Sequence, residues 1–153
     1  MIVILQDIRS MHNVGSIFRT ADAAGIEKLY LCGITPEPID RFKKFRPRIS
    51  KVALGAEKSV KWEKCKSALV LIRAIKRAGY KIFAIEQSKK SVSYKKIKIR
   101  ESGKVAFIFG NEVKGLNKTI LRGSDKILEI PMSGKKESLN VAVAFGIIVF
   151  HFK

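Results

Sequence analysis

The chain has 153 residues, 46% of them hydrophobic, enough for one domain with a substantial core and too apolar for a disordered segment. Its 31 lysines and arginines face 13 acids, a formal charge of +18, far beyond the roughly 2–8 that solubility asks of a small domain. A polyanionic partner, nucleic acid first, is therefore expected. The apolar run Val141–Phe150 falls short of the ~20 residues that span a bilayer as a helix, and Met1–Ser10 has no basic n-region or cleavage site. Neither a membrane partner nor a signal peptide is expected. Cys32 and Cys65 form no CxxC pair, which points to two free thiols in the cytoplasm.

In chain order, Met1–Leu5 suits a buried strand. Val14, Ile17, Phe18 and Ala21 recur at helical spacing, predicting a helix over Asn13–Ala24 with Asn13 as its cap and Gly25 as its stop. Lys28–Cys32 reads as the next strand. A long connection follows with Pro36, Pro38, Pro47 and the basic run Arg41–Arg48. There Arg41, Lys43, Lys44, Arg46 and Arg48 interleave with Phe42 and Phe45, the pattern of an RNA-binding loop that grips phosphates and stacks bases. The alternative is that both phenylalanines fold back into the core.

A helix is expected over Lys66–Ala78, ended by Gly79, and strands over Lys81–Glu86, Val105–Gly110 and Lys126–Pro131. A second basic run, Lys89–Arg100, is expected as a loop. The last helix covers Ser138–Phe152 and is apolar on nearly every side, more than one buried face requires. Strands apolar along their whole length, alternating with helices, predict an α/β fold: a mostly parallel sheet with helices on both faces, in a single domain.

Such sheets bind ligands beyond the carboxyl ends of their strands, yet the usual signatures are missing. No G-x-G-x-x-G follows Leu5, and no P-loop or G-x-S-x-G elbow occurs. His12 and His151 are the only histidines; no metal site is expected, and His12 reads as a loop residue. What remains is three segments, each after a strand end: "HNVGSIFRTADAAG" with Asn13, Gly15 and Arg19; "FIFGNEVKGL" with Gly110, Asn111, Glu112 and Gly115; and "IPMSGKKESLN" with Ser138 and Asn140. Singly, each has a structural explanation: Asn13 and Ser138 as helix caps, Gly110 as a turn, Arg19 paired with Asp22.

Together the three closely resemble the motifs of the SpoU (TrmH) family of RNA ribose 2′-O-methyltransferases, in the SPOUT superfamily. The likeness includes Asn13-x-Gly15-x-x-x-Arg19, Gly110-Asn111-Glu112 with Gly115-Leu116 behind, Ile130-Pro131-Met132 and Ser138-Leu139-Asn140, with "ALGAE" (Ala53–Glu57) and Trp62 between. It covers essentially the whole chain in order.

The resemblance implies a C-terminal trefoil knot, which nothing in spacing or periodicity discloses. It implies S-adenosylmethionine as cofactor, held by Ile85, Glu86, Gln87, Phe109, Gly110, Asn111, Glu112, Ile130, Met132, Ser138 and Leu139. It also implies a homodimer through the first and last helices, which would explain the all-round apolar tail. Family members give the arginine matching Arg19 the central catalytic role. Guanidinium is effectively always protonated, so Arg19 is expected to grip phosphate or ribose and stabilise developing negative charge. Asn13, Glu112, Ser138 and Asn140 are expected to orient Arg19 and the ribose. The similarity is to minimal family members, so residues 1–153 are expected to be one methyltransferase domain without an appended RNA-binding domain. Transfer RNA is the expected substrate, with ribosomal RNA, or non-catalytic RNA binding, as alternatives.

Overall fold

The computed structural model describes residues 1–99 and 103–153; Arg100, the end of the second basic run, lies outside them. In chain order the elements are β1 (Ile2–Gln6), α1 (Met11–Ala23), β2 (Lys28–Cys32), α2 (Pro47–Ala53), α3 (Ala56–Ser59), β3 (Trp62–Cys65) and α4 (Ala68–Arg77). There follow β4 (Lys81–Ile85), β5 (Val92–Ser93), a 3₁₀ turn (Tyr94–Lys96), β6 (Val105–Phe109), α5 (Lys118–Gly123), β7 (Lys126–Glu129) and α6 (Val141–His151). The seven strands form one sheet in the order β3-β2-β1-β6-β4-β7-β5, every described pair parallel.

Alternation along the strands feeds two cores. Val3, Leu5, Leu29, Leu31, Phe107 and Phe109 meet the face covered by α1, α2, α3 and α6. Ile2, Ile4, Ile82, Ala84, Ala106 and Ile108 meet the face covered by α4 and α5. Burial on both faces is why these strands read as unbroken apolar runs.

The structure adds elements that the pattern did not predict. β3 (Trp-Glu-Lys-Cys) is an edge strand half in water, so it carries charge. β5 has only two residues and lies inside the run expected to be a loop. In the long basic connection Pro47 opens α2, which places Arg48 in a helix. The predicted cap is also corrected: Ser10 caps α1, its side chain accepting from the Asn13 N–H, so His12 sits in the first helical turn. Likewise α6 begins at Val141 with Asn140, not Ser138, as its cap. Cys32 and Cys65 lie in register on β2 and β3 as free thiols; burial, helped by the neighbouring Cys65, pushes Cys32 up to about 12.

α1 approaches α2 at Gly15, where a Cβ would stand 2.7 Å from the Ile49 carbonyl oxygen and 3.0 Å from Val52 Cβ. Alanine gains up to about 1 kcal/mol of helix propensity over glycine, but a backbone oxygen cannot swing aside. Gly15→Ala should therefore lose about 1–2 kcal/mol net, or roughly 3–6 °C in Tm. A variant melting above the parent would show that the two helices part at no cost.

Candidate functional site

The carboxyl ends of β1, β6, β4 and β7 carry the site. After β1, Asp7 adopts φ 56°, a left-handed conformation that aspartate tolerates better than most residues. Its carbonyl accepts from Asn111 Nδ2 (2.8 Å) and its carboxylate from the Ile34 N–H (2.9 Å). After β6 the chain turns tightly: Asn111 Oδ1 accepts from the Val113 and Lys114 N–H groups, and the Gly115 N–H donates to the Asn111 carbonyl. The turn closes so far that a Cβ on Gly110 would lie 2.7 Å from the Gly115 carbonyl carbon. Beneath it, Glu86 Oε2 accepts from the Leu116 N–H at 2.8 Å.

Glu112 is the centre of the polar network. Oε2 accepts from the Arg9 N–H (3.1 Å); Oε1 accepts from the Ser10 N–H (3.2 Å) and from Asn13 Nδ2 (3.0 Å). Asn13, only 8% exposed, then accepts through Oδ1 from Asn140 Nδ2 at 3.1 Å. Asn140 Oδ1 in turn accepts from the Ala142 N–H at 2.8 Å and caps α6. An ionised carboxylate only accepts hydrogen bonds, so Glu112 fixes which way the Asn13 amide faces, and Asn13 fixes Asn140. Burial pushes the Glu112 pKa upward, but the backbone N–H groups of Arg9, Glu112 and Ser10 and the Asn13 amide outweigh it and hold it below 4.5.

Two adjoining cavities flank this network. The first, a cleft of about 200 Å³ open at its mouth, is the smaller of the two and lies below the roughly 300–1,000 Å³ usual for small-molecule sites. Ile85, Glu86 and Gln87 line it behind β4, Phe109, Gly110, Asn111 and Glu112 behind β6, and Ile130, Met132, Ser138 and Leu139 behind β7. Every residue expected to hold the cofactor thus meets in one cleft. Val113, Gly115, Glu129, Val141 and Ala144 join them, unforeseen because their motif neighbours carried the likeness. Glu86, Glu112 and Glu129 all line this cleft, a concentration of acid in a chain with 13 acids and a charge of +18.

The second cavity shares Glu112, Val113, Ser138, Leu139 and Val141 with the first and adds Arg9, Ser10, Asn13 and Asn140. Arg9 and Ser10 were missed; their place just before the Asn-x-Gly motif was the available signal. Arg19 is different. It is exposed on α1, about 9 Å of helix axis beyond Asn13, and lines neither cavity. No ion pair joins it to Asp22 among the described residues; Asp22 instead accepts from the Ser59 hydroxyl. The basic run of Arg41, Lys43, Lys44, Arg46 and Arg48 also lies outside both cavities, with Phe42 and Phe45 exposed and not in the core. Among the described residues no group of three or more His, Cys, Asp or Glu could hold a metal ion, and no helix is long and apolar enough to cross a membrane.

Because the folded pKa of Glu112 is lowered, its ionised form stabilises the fold above the ordinary 4.5, and that contribution is lost as pH falls through the lowered value. Glu112→Gln should cost no more than about 1 kcal/mol at about pH 7, because the carboxylate is exposed and solvent screens its interactions. The gap should narrow as pH falls below 4.5 through the lowered value, which urea denaturation across that range would measure. A gap that persists in acid would mean the carboxylate charge does not hold the network.

The profile of the SpoU rRNA Methylase family matches residues 1–150. The tRNA (guanosine(18)-2'-O)-methyltransferase of Aquifex aeolicus is 30% identical over 151 residues, 98% of this chain and 67% of that protein. The 23S rRNA (guanosine-2'-O-)-methyltransferase RlmB of Neisseria meningitidis is 30% identical over 149 residues, 97% of this chain and 56% of that protein. An AdoMet-bound rRNA methyltransferase from Sinorhizobium meliloti superposes with a TM-score of 0.87 at 32% identity, over 97% of this chain and 54% of that one. The chain therefore spans little more than half to two thirds of the length of these relatives. Its motifs, parallel sheet and strand-end site agree with that match, and the chain belongs to the SpoU (TrmH) family of the SPOUT superfamily.

Proposed function

We propose that the chain transfers a methyl group from S-adenosylmethionine to a ribose 2′-hydroxyl of RNA. The observation that carries this reading is the junction of a carboxylate-lined cleft with a cavity organised by Glu112, Asn13 and Asn140. The lining of the cleft suits the chemistry of such a cofactor. Ile85, Phe109, Ile130 and Leu139 give it apolar walls, and Glu86, Glu112 and Glu129 offer negative charge to a sulfonium cation in a molecule that otherwise repels cations. When bound, S-adenosylmethionine supplies a methyl group on positively charged sulfur.

The chain's own residues then hold the acceptor. Asn13 and Asn140, locked in orientation, present fixed amide dipoles to the ribose, while Ser138 stands in the lining of both cavities. Glu112 already accepts three N–H groups and has a lowered pKa, so it positions the acceptor and makes a poor base. Arg9, exposed at the acceptor cavity with no acid paired to its side chain among the described residues, grips the phosphate beside the ribose. Much of the acceleration comes from holding both reactants at attack distance.

Arg19 joins this machinery only if a second copy supplies it. α6 crosses α1 where Gly146 faces Thr20, beside Arg19. Val143 (51% exposed) and Phe150 (55%) leave an apolar face uncovered there. A homodimer through α1 and α6 covers that face and carries Arg19 of one copy toward the other's site. The trefoil knot belongs to the same proposal, supported by the close superposition on family structures, as does the single-domain reading of residues 1–153. A cytoplasmic location follows from an RNA substrate and two free thiols.

Among these relatives, names for 23S rRNA are more frequent than names for tRNA. Ribosomal RNA is accordingly the first substrate to try, and transfer RNA, expected from the sequence, the second. Labelled methyl should pass from S-adenosylmethionine to one of these RNAs, and Arg19→Ala should slow transfer about 10²–10³-fold. Transfer indifferent to Arg19 would remove its catalytic role, and no transfer to either RNA would sink the reaction. Val143→Glu should convert a two-copy species to one copy in sedimentation and abolish transfer with it; an active monomer would overturn the shared site.

A further inference from the structure

The segment between β2 and α2 contains a built turn that the transfer chemistry leaves unused. Ile39 and Phe45 pair as an antiparallel bridge. Between them the Asp40 carboxylate accepts the N–H groups of Phe42 (2.8 Å) and Lys44 (3.0 Å). The Asp40 N–H donates to the Lys44 carbonyl at 2.8 Å, the Lys43 N–H to the Asp40 carbonyl at 3.0 Å, and the Arg46 N–H to the Pro38 carbonyl at 2.7 Å. Arg46 Nε reaches the Ile39 carbonyl at 3.3 Å, and Lys43 takes φ 59° to close the turn.

This well-bonded turn holds a phenylalanine in water: Phe42 is 67% exposed and Phe45 43%. Leaving such a ring unburied forgoes the hydrophobic stabilisation that burial would give. The Arg41 guanidinium carbon lies 4.7 Å from the Phe42 ring centroid, and Lys58 Nζ 5.2 Å from that of Phe45. Asp40 is the only acid between Ile39 and Ala56, and its carboxylate is occupied by backbone N–H groups. Arg41, Lys43, Lys44 and Arg48 are exposed and make no ion pair among the described residues. The turn leaves the carboxyl end of β2, next to β1, and runs into α2, which packs on α1 two residues beyond Asn13. It therefore stands at the end of the sheet that carries both cavities.

Cations alone suffice for the phosphates of a duplex, whose bases are already stacked on one another. Flat apolar faces fixed among unpaired cations suit an anionic chain whose bases are free to stack. We propose that Phe42, with Phe45 beside it, is a stacking platform for an unpaired base of the RNA, so that the domain prefers a loop or single strand to a helix. This rests on the methyl-transfer reading for the identity of the polyanion as RNA.

The test is fluorescence anisotropy with a labelled hairpin-loop RNA and a blunt duplex of equal length, across a salt series. Phe42→Ala should weaken loop RNA roughly 5- to 150-fold, leave the salt slope and cofactor affinity unchanged, and leave duplex binding untouched. Phe42→Trp should restore the loss, which rules out misfolding as its cause. Lys43→Glu with Lys44→Glu should instead weaken both RNAs and flatten the salt slope. Equal loss on loop and duplex, or none on either, would overturn the platform. A parent chain that binds neither RNA would bring down the methyl-transfer reading as well, whereas a parent that binds loop RNA with Phe42→Ala unchanged removes the platform alone.

Discussion

The site depends on one carboxylate. Glu112, at the turn after β6, gathers the Arg9 and Ser10 N–H groups and the Asn13 amide, and through Asn13 reaches Asn140, 127 residues from it in sequence. Three segments that share no covalent proximity, the starts of α1 and α6 and the turn behind β6, are thereby held in one arrangement. Because an ionised carboxylate has no proton to donate, each amide in the chain has one satisfactory orientation. The polar mouth of the otherwise apolar α6 is the far end of this network.

That arrangement rests on close backbone approach. Gly110 lies against the carbonyl carbon of Gly115, and Gly15 against the Ile49 carbonyl. The first brings the Glu112 turn onto the cleft; the second lets α2 pack on α1 and sets where the basic segment before it emerges. Both glycines are sites where a side chain would displace backbone, so small size at two positions bears on the geometry of the whole strand-end surface.

Charge is divided as sharply as shape. The chain carries +18 overall, yet three carboxylates share one cleft, while among the described residues the cations around Phe42 make no ion pair and the nearby Asp40 is occupied by backbone N–H groups. In the proposed reaction this separation serves two ligands of opposite sign on one small surface, a sulfonium in the cleft and a polyphosphate outside it. In the same proposal, a dimer through α1 and α6 would supply the guanidinium that the single chain keeps away from its own cavities.

Sequence alone determined the parallel α/β sheet, because strands buried on both faces must be apolar throughout, while the residues that line the cleft were indicated only by the likeness of its motifs to those of the SpoU (TrmH) family. It did not disclose β3, a charged edge strand, or β5, too short for any period to register. It misassigned the cap of α1, since Asn13 is as good a capping residue as Ser10 until Glu112 claims its side chain. Only the tertiary structure decided that Asn13 and Asn140 share a hydrogen bond, that Arg9 enters the cavity, that Arg19 does not, and that Phe42 stays in water. Each of these turns on which side chains from distant segments compete for the same donors, acceptors and space, and that competition exists only once the chain is folded.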